Sequence, residues 1–156
     1  MATHEHALAP ETDDGHTILL PATPEHLSTI HDFLKREVPG EFTGTLSRIE
    51  MAVEELLMNI FHHAYETKGA GKAMISCRRV DLDGMAFFRV GVRDWGRPYN
   101  PLAEAPRPDL EAGIEERPIG GLGIHIVRTV TAHYCYSRSQ DANELELFFA
   151  RCPAER

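Results

Sequence analysis

The chain has no apolar run approaching the 18 or so residues that a membrane-spanning helix needs. Basic residues are in the minority: 16 Lys and Arg stand against 24 Asp and Glu, for a net charge of -8. Nucleic-acid surfaces normally present a basic face, and anionic membranes attract polybasic segments. Neither direct nucleic-acid binding nor membrane binding is therefore expected. Cysteine is scarce. Cys77, Cys135 and Cys152 are odd in number and lack metal-ligand spacing, which argues against a disulfide framework and for a reducing, cytoplasmic setting. Met1 to Gly15 holds no apolar stretch, so a signal peptide is not expected there. Internal repeats and low-complexity tracts are absent. Histidine is plentiful, at nine, but His62 and His63 are adjacent rather than four apart, and His4 and His6 lie in the polar N-terminal segment. A dedicated histidine metal site is not expected.

What remains is an ordinary globular composition, 42% hydrophobic and 26% charged over 156 residues, enough for one domain with a substantial core. Residues 1–15 are expected to form a disordered tail and 16–152 the domain. Thr17 to Pro21 reads as a short strand. Thr23-Pro24 opens a helix to about Glu37, by the cap and first-turn proline rule. Pro39-Gly40 breaks it, and a longer helix follows from Thr43 or Thr45 to Tyr65. Lys72 to Val80 and Met85 to Asp94 form a hairpin turned at Asp81-Leu82-Asp83-Gly84. Residues 97–119, with five prolines and no clean period, form a long loop of the kind that is functional or disordered. Gly121 to Ala132 is a helix, with Leu122, Ile126 and Val130 expected on its buried side. Tyr134 to Ser139 and Glu144 to Arg151 close the sheet. Helices and antiparallel strands in separate runs predict an α+β two-layer sandwich, its mainly antiparallel sheet covered on one face by helices.

Glu55 and Asn59 stand four apart in the long helix, on one face and beside the apolar stripe Leu46, Ile49, Val53, Leu56, Ile60, Ala64. Both offer oxygen ligands that suit magnesium, and a carboxylate also accepts a proton. Glu54 is rotated by about 100° and is expected to face solvent. Asp94 continues the apolar face Ala86, Phe88, Val90, Val92 of its strand. A carboxylate there needs a donor. It caps the following turn or accepts an exocyclic amine such as the N6 of adenine. Gly96 follows, where bulk would close a flat slot. Trp95 points the other way and reads as packing. Gly120-Gly121-Leu122-Gly123 opens the late helix. It is either a plain hinge or an anion cradle of backbone N–H groups aided by the helix dipole. It matches neither the G-x-x-x-x-G-K-[ST] phosphate loop nor the G-x-G-x-x-G dinucleotide turn.

The order Glu-x-x-x-Asn on a helix, Asp-x-Gly at a strand end, a long loop, then Gly-Gly-Leu-Gly resembles the Bergerat-type ATP-binding fold. Gyrases, heat-shock chaperones, mismatch-repair ATPases and histidine kinases share it. The resemblance is closer to the bacterial anti-sigma-factor serine/threonine kinases. The first motif, Glu55-Leu56-Leu57-Met58-Asn59 continuing to His63-Ala64-Tyr65, is like that branch's E-x-x-x-N-x-x-x-H-A-Y. Asp94-Trp95-Gly96-Arg97-Pro98-Tyr99-Asn100-Pro101 is close to its D-x-G-x-P-[FY]-[DN]-P. A dimerisation-and-phosphoacceptor hairpin, as in histidine kinases, is not expected. The resemblance spans about residues 17–151. It implies that Asn59 coordinates the magnesium of Mg-ATP and that Glu55 is the general base toward a substrate serine. It implies that Asp94 holds the adenine amine and Gly96 lines its slot. Gly120, Gly121, Leu122 and Gly123 would close on the phosphates, and 97–119 would be the ATP lid, with Arg107 and Arg117 as candidate phosphate contacts. His63 matches the motif histidine, as a packing residue or a nucleotide contact. One departure stands out. The family's last strand often begins Gly-x-Thr, a device that helps hold adenine; here the stretch is Asp141-Ala142-Asn143-Glu144-Leu145.

The implied function is an anti-sigma factor that binds a sigma factor and phosphorylates a small STAS-type anti-sigma-antagonist, with a homodimer contributed by the end of the fold bearing Leu27, Ile30, His31 and Leu34. The competing reading is a binding module that keeps the ATP fold but transfers no phosphate. The carboxylate of Glu55 favours the kinase, since binding alone needs no base there.

Overall fold

Period-two patterning puts Phe88, Val90 and Val92 on one side of a strand and Leu145, Leu147 and Phe149 on one side of another, and these six side chains are buried together. In the computed structural model, which describes residues 15–67, 70–104, 111 and 122–152, they face each other across adjacent strands. Five antiparallel strands form the sheet: β1 (His16–Pro21), β2 (Lys72–Leu82), β3 (Met85–Asp94), β4 (His133–Ser139) and β5 (Ala142–Ala150). Their spatial order is β1-β2-β3-β5-β4. The expected α+β two-layer architecture is the observed one.

Helices cover one face of this sheet. A 3₁₀ turn at Pro24–His26 leads into α1 (Leu27–Glu37), so the proline-opened helix starts tighter than an α-helix. Thr23 has the extended backbone of a cap but no capping hydrogen bond from its side chain. A second 3₁₀ segment, Gly40–Thr45, precedes α2 (Leu46–Asn59). The last turn of the expected long helix is π-helical, Ile60–Ala64. Of the apolar stripe, Ile49, Val53, Leu56 and Ile60 are buried, while Leu46 is only half-buried. A short helix, α3 (Pro101–Glu104), begins the long loop, and α4 (Leu122–Val130) packs on α2. On α4 the buried side chains are Ile124 and Val127, with Val130 against the core. Ile126 is not among them: the stripe is offset from the expected one because contact with α2 selects a different face. Leu122's side chain lies outside the described residues. So do residues 1–14, Gly120, Gly121, and most of the expected lid, including Arg107 and Arg117.

Turn chemistry sets the register. Asp83 and Gly84, between β2 and β3, both have positive φ (50° and 78°), the mirror-image turn that matches the twist of a tight hairpin. Gln140 and Asp141 do the same between β4 and β5, at 52° and 58°. The resulting register puts Ala73, Asp94, Asn143 and Arg138 in one row across the end of the sheet. Apolar rows lie beneath it, Val92 opposite Leu145 and Val90 opposite Leu147. The other sheet face is laced with charge: Arg89 pairs with Glu146 and, at 3.4 Å, with Glu144. Gly91 leaves room there, since a Cβ on it would stand 2.5 Å from the Ser76 hydroxyl.

Candidate functional site

A cleft opens where α2 and its π-helical turn meet the ends of β3 and β5. Leu56, Asn59, His63, Asp94, Tyr99 and Asn143 are among the residues that line it. Three candidates from distant parts of the sequence, Asn59, His63 and Asp94, thus share one wall. Extra residues in a π-helical turn are often found at functional positions. Here that turn presents the Ala64 carbonyl, which accepts the Arg97 N–H at 3.0 Å, and the His63 carbonyl, which accepts Arg97 Nε at 3.0 Å. The His63 side chain itself is exposed at the rim.

Asn59 donates its amide Nδ2 to the Glu55 carbonyl at 3.1 Å. An acceptor at that point requires the N–H₂ end, so Oδ1 faces away from the helix backbone and accepts no hydrogen bond from a described residue. This orientation fits a hard cation, which takes oxygen ligands. Among the described residues no group of three or more His, Cys, Asp or Glu side chains could hold a metal ion. Any cation here would therefore draw most of its ligands from a bound anion and water.

Glu55 is half-buried one turn before Asn59. Burial, and then the neighbouring Glu54 charge, raise its carboxyl above the ordinary glutamate range. Its carboxylate lies against Gly123 at the first turn of α4. Glu54 is partly exposed, as expected, and its carboxylate stands 3.2 Å from His31 Nε2 on α1.

Asp94 is buried at the cleft's inner end, 7% exposed. Its Oδ1 accepts from the Gly96 N–H (2.9 Å) and from Asn143 Nδ2 (3.0 Å). Capping the turn and accepting a ligand donor are thus compatible, because the cap uses one oxygen and Oδ2 has no partner among the described residues. Burial raises the Asp94 carboxyl; the Asn143 and Gly96 hydrogen bonds and the Arg138 charge pull the other way. Gly96 meets a packing requirement of the fold. A Cβ there would stand 2.2 Å from the Ala64 carbonyl oxygen, so glycine lets the loop after β3 pack on the π-helical turn. Trp95 is exposed beyond the cleft, with the Arg93 guanidinium over its ring at 5.6 Å; it does not pack in the core.

Sequence reasoning gave no role to Asn143, Tyr136 or Tyr65. The Asn143 Oδ1 accepts from Tyr136 Oη (2.6 Å), an Arg138 guanidinium nitrogen (3.0 Å) and the Tyr99 N–H (3.3 Å). The Tyr65 hydroxyl accepts the Trp95 N–H at 3.0 Å and donates to the Lys72 carbonyl at 2.5 Å, tying the end of the π-helical turn to β2 and the exit of β3. Only strand register signals the first cluster, since Asn143 sits directly opposite Asp94.

Residues 20–149 match the family model of the histidine kinase-like ATPase domain. A search of curated protein sequences gives no match.

Proposed function

Because the chain belongs to the histidine kinase-like ATPase domain family, a Bergerat-type ATP-binding fold, we propose that it is an anti-sigma serine/threonine kinase. ATP binding is the coarse function that membership supports. The kinase reading rests on one observation above all: Glu55, a half-buried carboxylate with a raised pKa, stands one helical turn from the free Oδ1 of Asn59. Glu55 stands beside the cleft, against Gly123, rather than in its lining, and a site that only held nucleotide would need no base at that point.

In this reading the Asp94 Oδ2 accepts the exocyclic amine of adenine, and the triphosphate runs from there past Asn59 toward α4. Gly123, with Gly120, Gly121 and the Leu122 backbone, closes on the phosphates. His63 borders the nucleotide at the rim. Asn59 supplies one oxygen to magnesium, which when bound neutralises phosphate charge. Glu55 takes the proton of the substrate hydroxyl as that oxygen bonds to the γ-phosphorus. The bond from phosphorus to the β–γ bridging oxygen breaks, and ADP leaves with that electron pair. The protein contributes mainly position and a correctly charged base.

The substrate is proposed to be a serine or threonine of a STAS-type antagonist, with a sigma factor as the second partner and a homodimer as the working form. No helix among the described residues is long and apolar enough to cross a membrane, in keeping with a cytoplasmic role. The first test is thermal unfolding with and without Mg-ATP, followed by transfer of labelled γ-phosphate to a candidate antagonist. A ligand at about 100 times its dissociation constant adds roughly 2.7 kcal/mol. A magnesium-dependent rise of several degrees with Glu55-dependent transfer supports the kinase. A rise without transfer favours the non-catalytic module, and no rise at millimolar ATP overturns the kinase and leaves a module that holds a sigma factor or other regulator by surface contact alone.

A further inference from the structure

We infer that Asn143 is the positioning residue that sets the base selectivity of the cleft, acting through Asp94 rather than by touching the nucleotide. The inference rests on the adenine-nucleotide reading of the cleft.

Asn143 is 4% exposed and lies opposite Asp94 in the β3–β5 register. Its hydrogen-bonding capacity is fully committed. Nδ2 donates to Asp94 Oδ1 (3.0 Å) and to the Arg97 carbonyl (2.8 Å). Oδ1 receives Tyr136, Arg138 and the Tyr99 N–H. An asparagine amide has two N–H donors and an acceptor oxygen, so no donor is left over for a ligand. The orientation is also forced. A flipped amide would turn N–H₂ toward three donors and its oxygen toward two acceptors.

Three consequences follow for Asp94. One carboxylate oxygen is fixed from both sides, which aims the other into the cleft. A donor at Oδ1 favours the ionised, acceptor-only form of a buried carboxylate. The same amide grips Arg97 and Tyr99, so the loop leaving β3 and the carboxylate it follows move as one unit. A rigid, ionised acceptor selects a base carrying an exocyclic amine and repels one carrying a carbonyl at the same place. The chain thereby achieves with asparagine what its Asp141-Ala142-Asn143 stretch, lacking the Gly-x-Thr pattern, would otherwise forgo.

The experiment compares equilibrium binding of Mg-ATP and Mg-ITP, which carries a carbonyl where adenine has its amine, by the wild type, Asn143→Ala, Asn143→Asp and Tyr136→Phe, with thermal unfolding of each. The wild type should prefer ATP by about tenfold or more, the usual effect of leaving a buried acceptor unsatisfied. Alanine offers Asp94 no donor and leaves the Arg97 carbonyl unpaired, and the preference should fall close to one. Asn143→Asp keeps the oxygen that Tyr136 and Arg138 need but faces Asp94 with a second carboxylate. Once ionised it offers Asp94 no donor, and the repulsion between the two carboxylates should lower the ATP preference further as pH rises. Tyr136→Phe removes one anchor and no contact to Asp94, and should lose part of the preference if the larger changes prevent folding. Folded variants with an unchanged ATP:ITP ratio overturn the inference, as does a wild type that binds both nucleotides equally; the ATP reading survives either result. A wild type that binds neither overturns that reading and this inference with it.

Discussion

Glu55 and Gly123 occupy complementary volumes: a Cβ on Gly123 would stand 1.9 Å from Glu55 Oε2. The proposed base on α2 and the first turn of α4 are thus fitted to each other through a missing side chain. Gly123→Ala should displace the carboxylate without damaging the fold. The obstructing atom is the end of a flexible side chain, and alanine is the better helix former by about 1 kcal/mol. The melting temperature should hold or rise while phosphate transfer falls by about tenfold or more, since small misplacements of reacting groups carry large penalties. A mutant with full transfer would show that Glu55 does not act from this position.

Gly96→Ala presents the opposite case. Its Cβ would meet the Ala64 carbonyl oxygen at 2.2 Å and the Ala64 Cβ at 2.7 Å, a wall of backbone and methyl with no flexible end. Overpacking of this kind typically costs about 1–3 kcal/mol. A loss of roughly 2–10 °C in nucleotide-free melting temperature is expected, by the usual scaling for a domain of this size. An unshifted melting curve would mean that the loop after β3 is free to retreat from the π-helical turn.

The raised pKa of Glu55 predicts the pH profile of the transfer step. A general base works ionised, so the rate should fall as pH drops through the raised value. Burial is the larger cause and the Glu54 charge the second. Glu54→Gln removes only the second, and should move the acidic limb of the kcat profile to lower pH while leaving it above the range of a free glutamate. A limb that stays put or moves upward assigns it to another group.

The elements that follow from pattern alone were legible. The two hairpins, the central helix and the buried faces of β3 and β5 follow from periodicity and from Asp83-Gly84, and Glu55, Asn59 and Asp94 were recognisable as polar groups at the margins of apolar faces. What escaped depends on contacts between elements. Ile126 looked buried by spacing, but the approach of α2 selects Ile124 and Val127. The π-helical ending at Ile60–Ala64 has no local signature, and with it went the reason for Gly96. Asn143 was visible only as a departure from a pattern. Its role needed the register that Gln140 and Asp141 impose, and neither residue is a glycine that would announce such a turn.

That turn can be tested apart from function. Gln140 and Asp141 hold left-handed backbone angles that favour Asn and Gly. Gln140→Asn combined with Asp141→Gly should relieve this conformation and stabilise the chain by about 1 kcal/mol, or roughly 2–4 °C. Base selectivity should be unchanged, because the register that places Asn143 opposite Asp94 is kept. A loss of stability would mean that the two side chains make contributions that outweigh their backbone strain.

Asp94 brings stability and binding into opposition. Its folded-state pKa lies above that of an ordinary aspartate, chiefly through burial. The folded chain therefore binds this proton more tightly than the unfolded chain does. The stabilisation that results is complete below the ordinary aspartate range and is lost as pH rises through the raised value. Above that value the nucleotide-free protein carries a desolvated charge that Asn143, Gly96 and Arg138 offset. Asp94→Asn keeps an oxygen to accept from Gly96 and Asn143 and removes the charge. Without nucleotide it should melt about 1–4 °C higher than the wild type at neutral pH, an advantage that disappears in acid, where the wild type is protonated. With Mg-ATP the order should reverse, because the mutant presents an amide to the adenine amine and loses the ligand-induced rise. Melting curves of both proteins, with and without Mg-ATP at neutral and acidic pH, check all three outcomes. A mutant less stable than the wild type without nucleotide at neutral pH would show that the Asp94 charge is favourably paired, and that its burial is not a cost borne for the ligand.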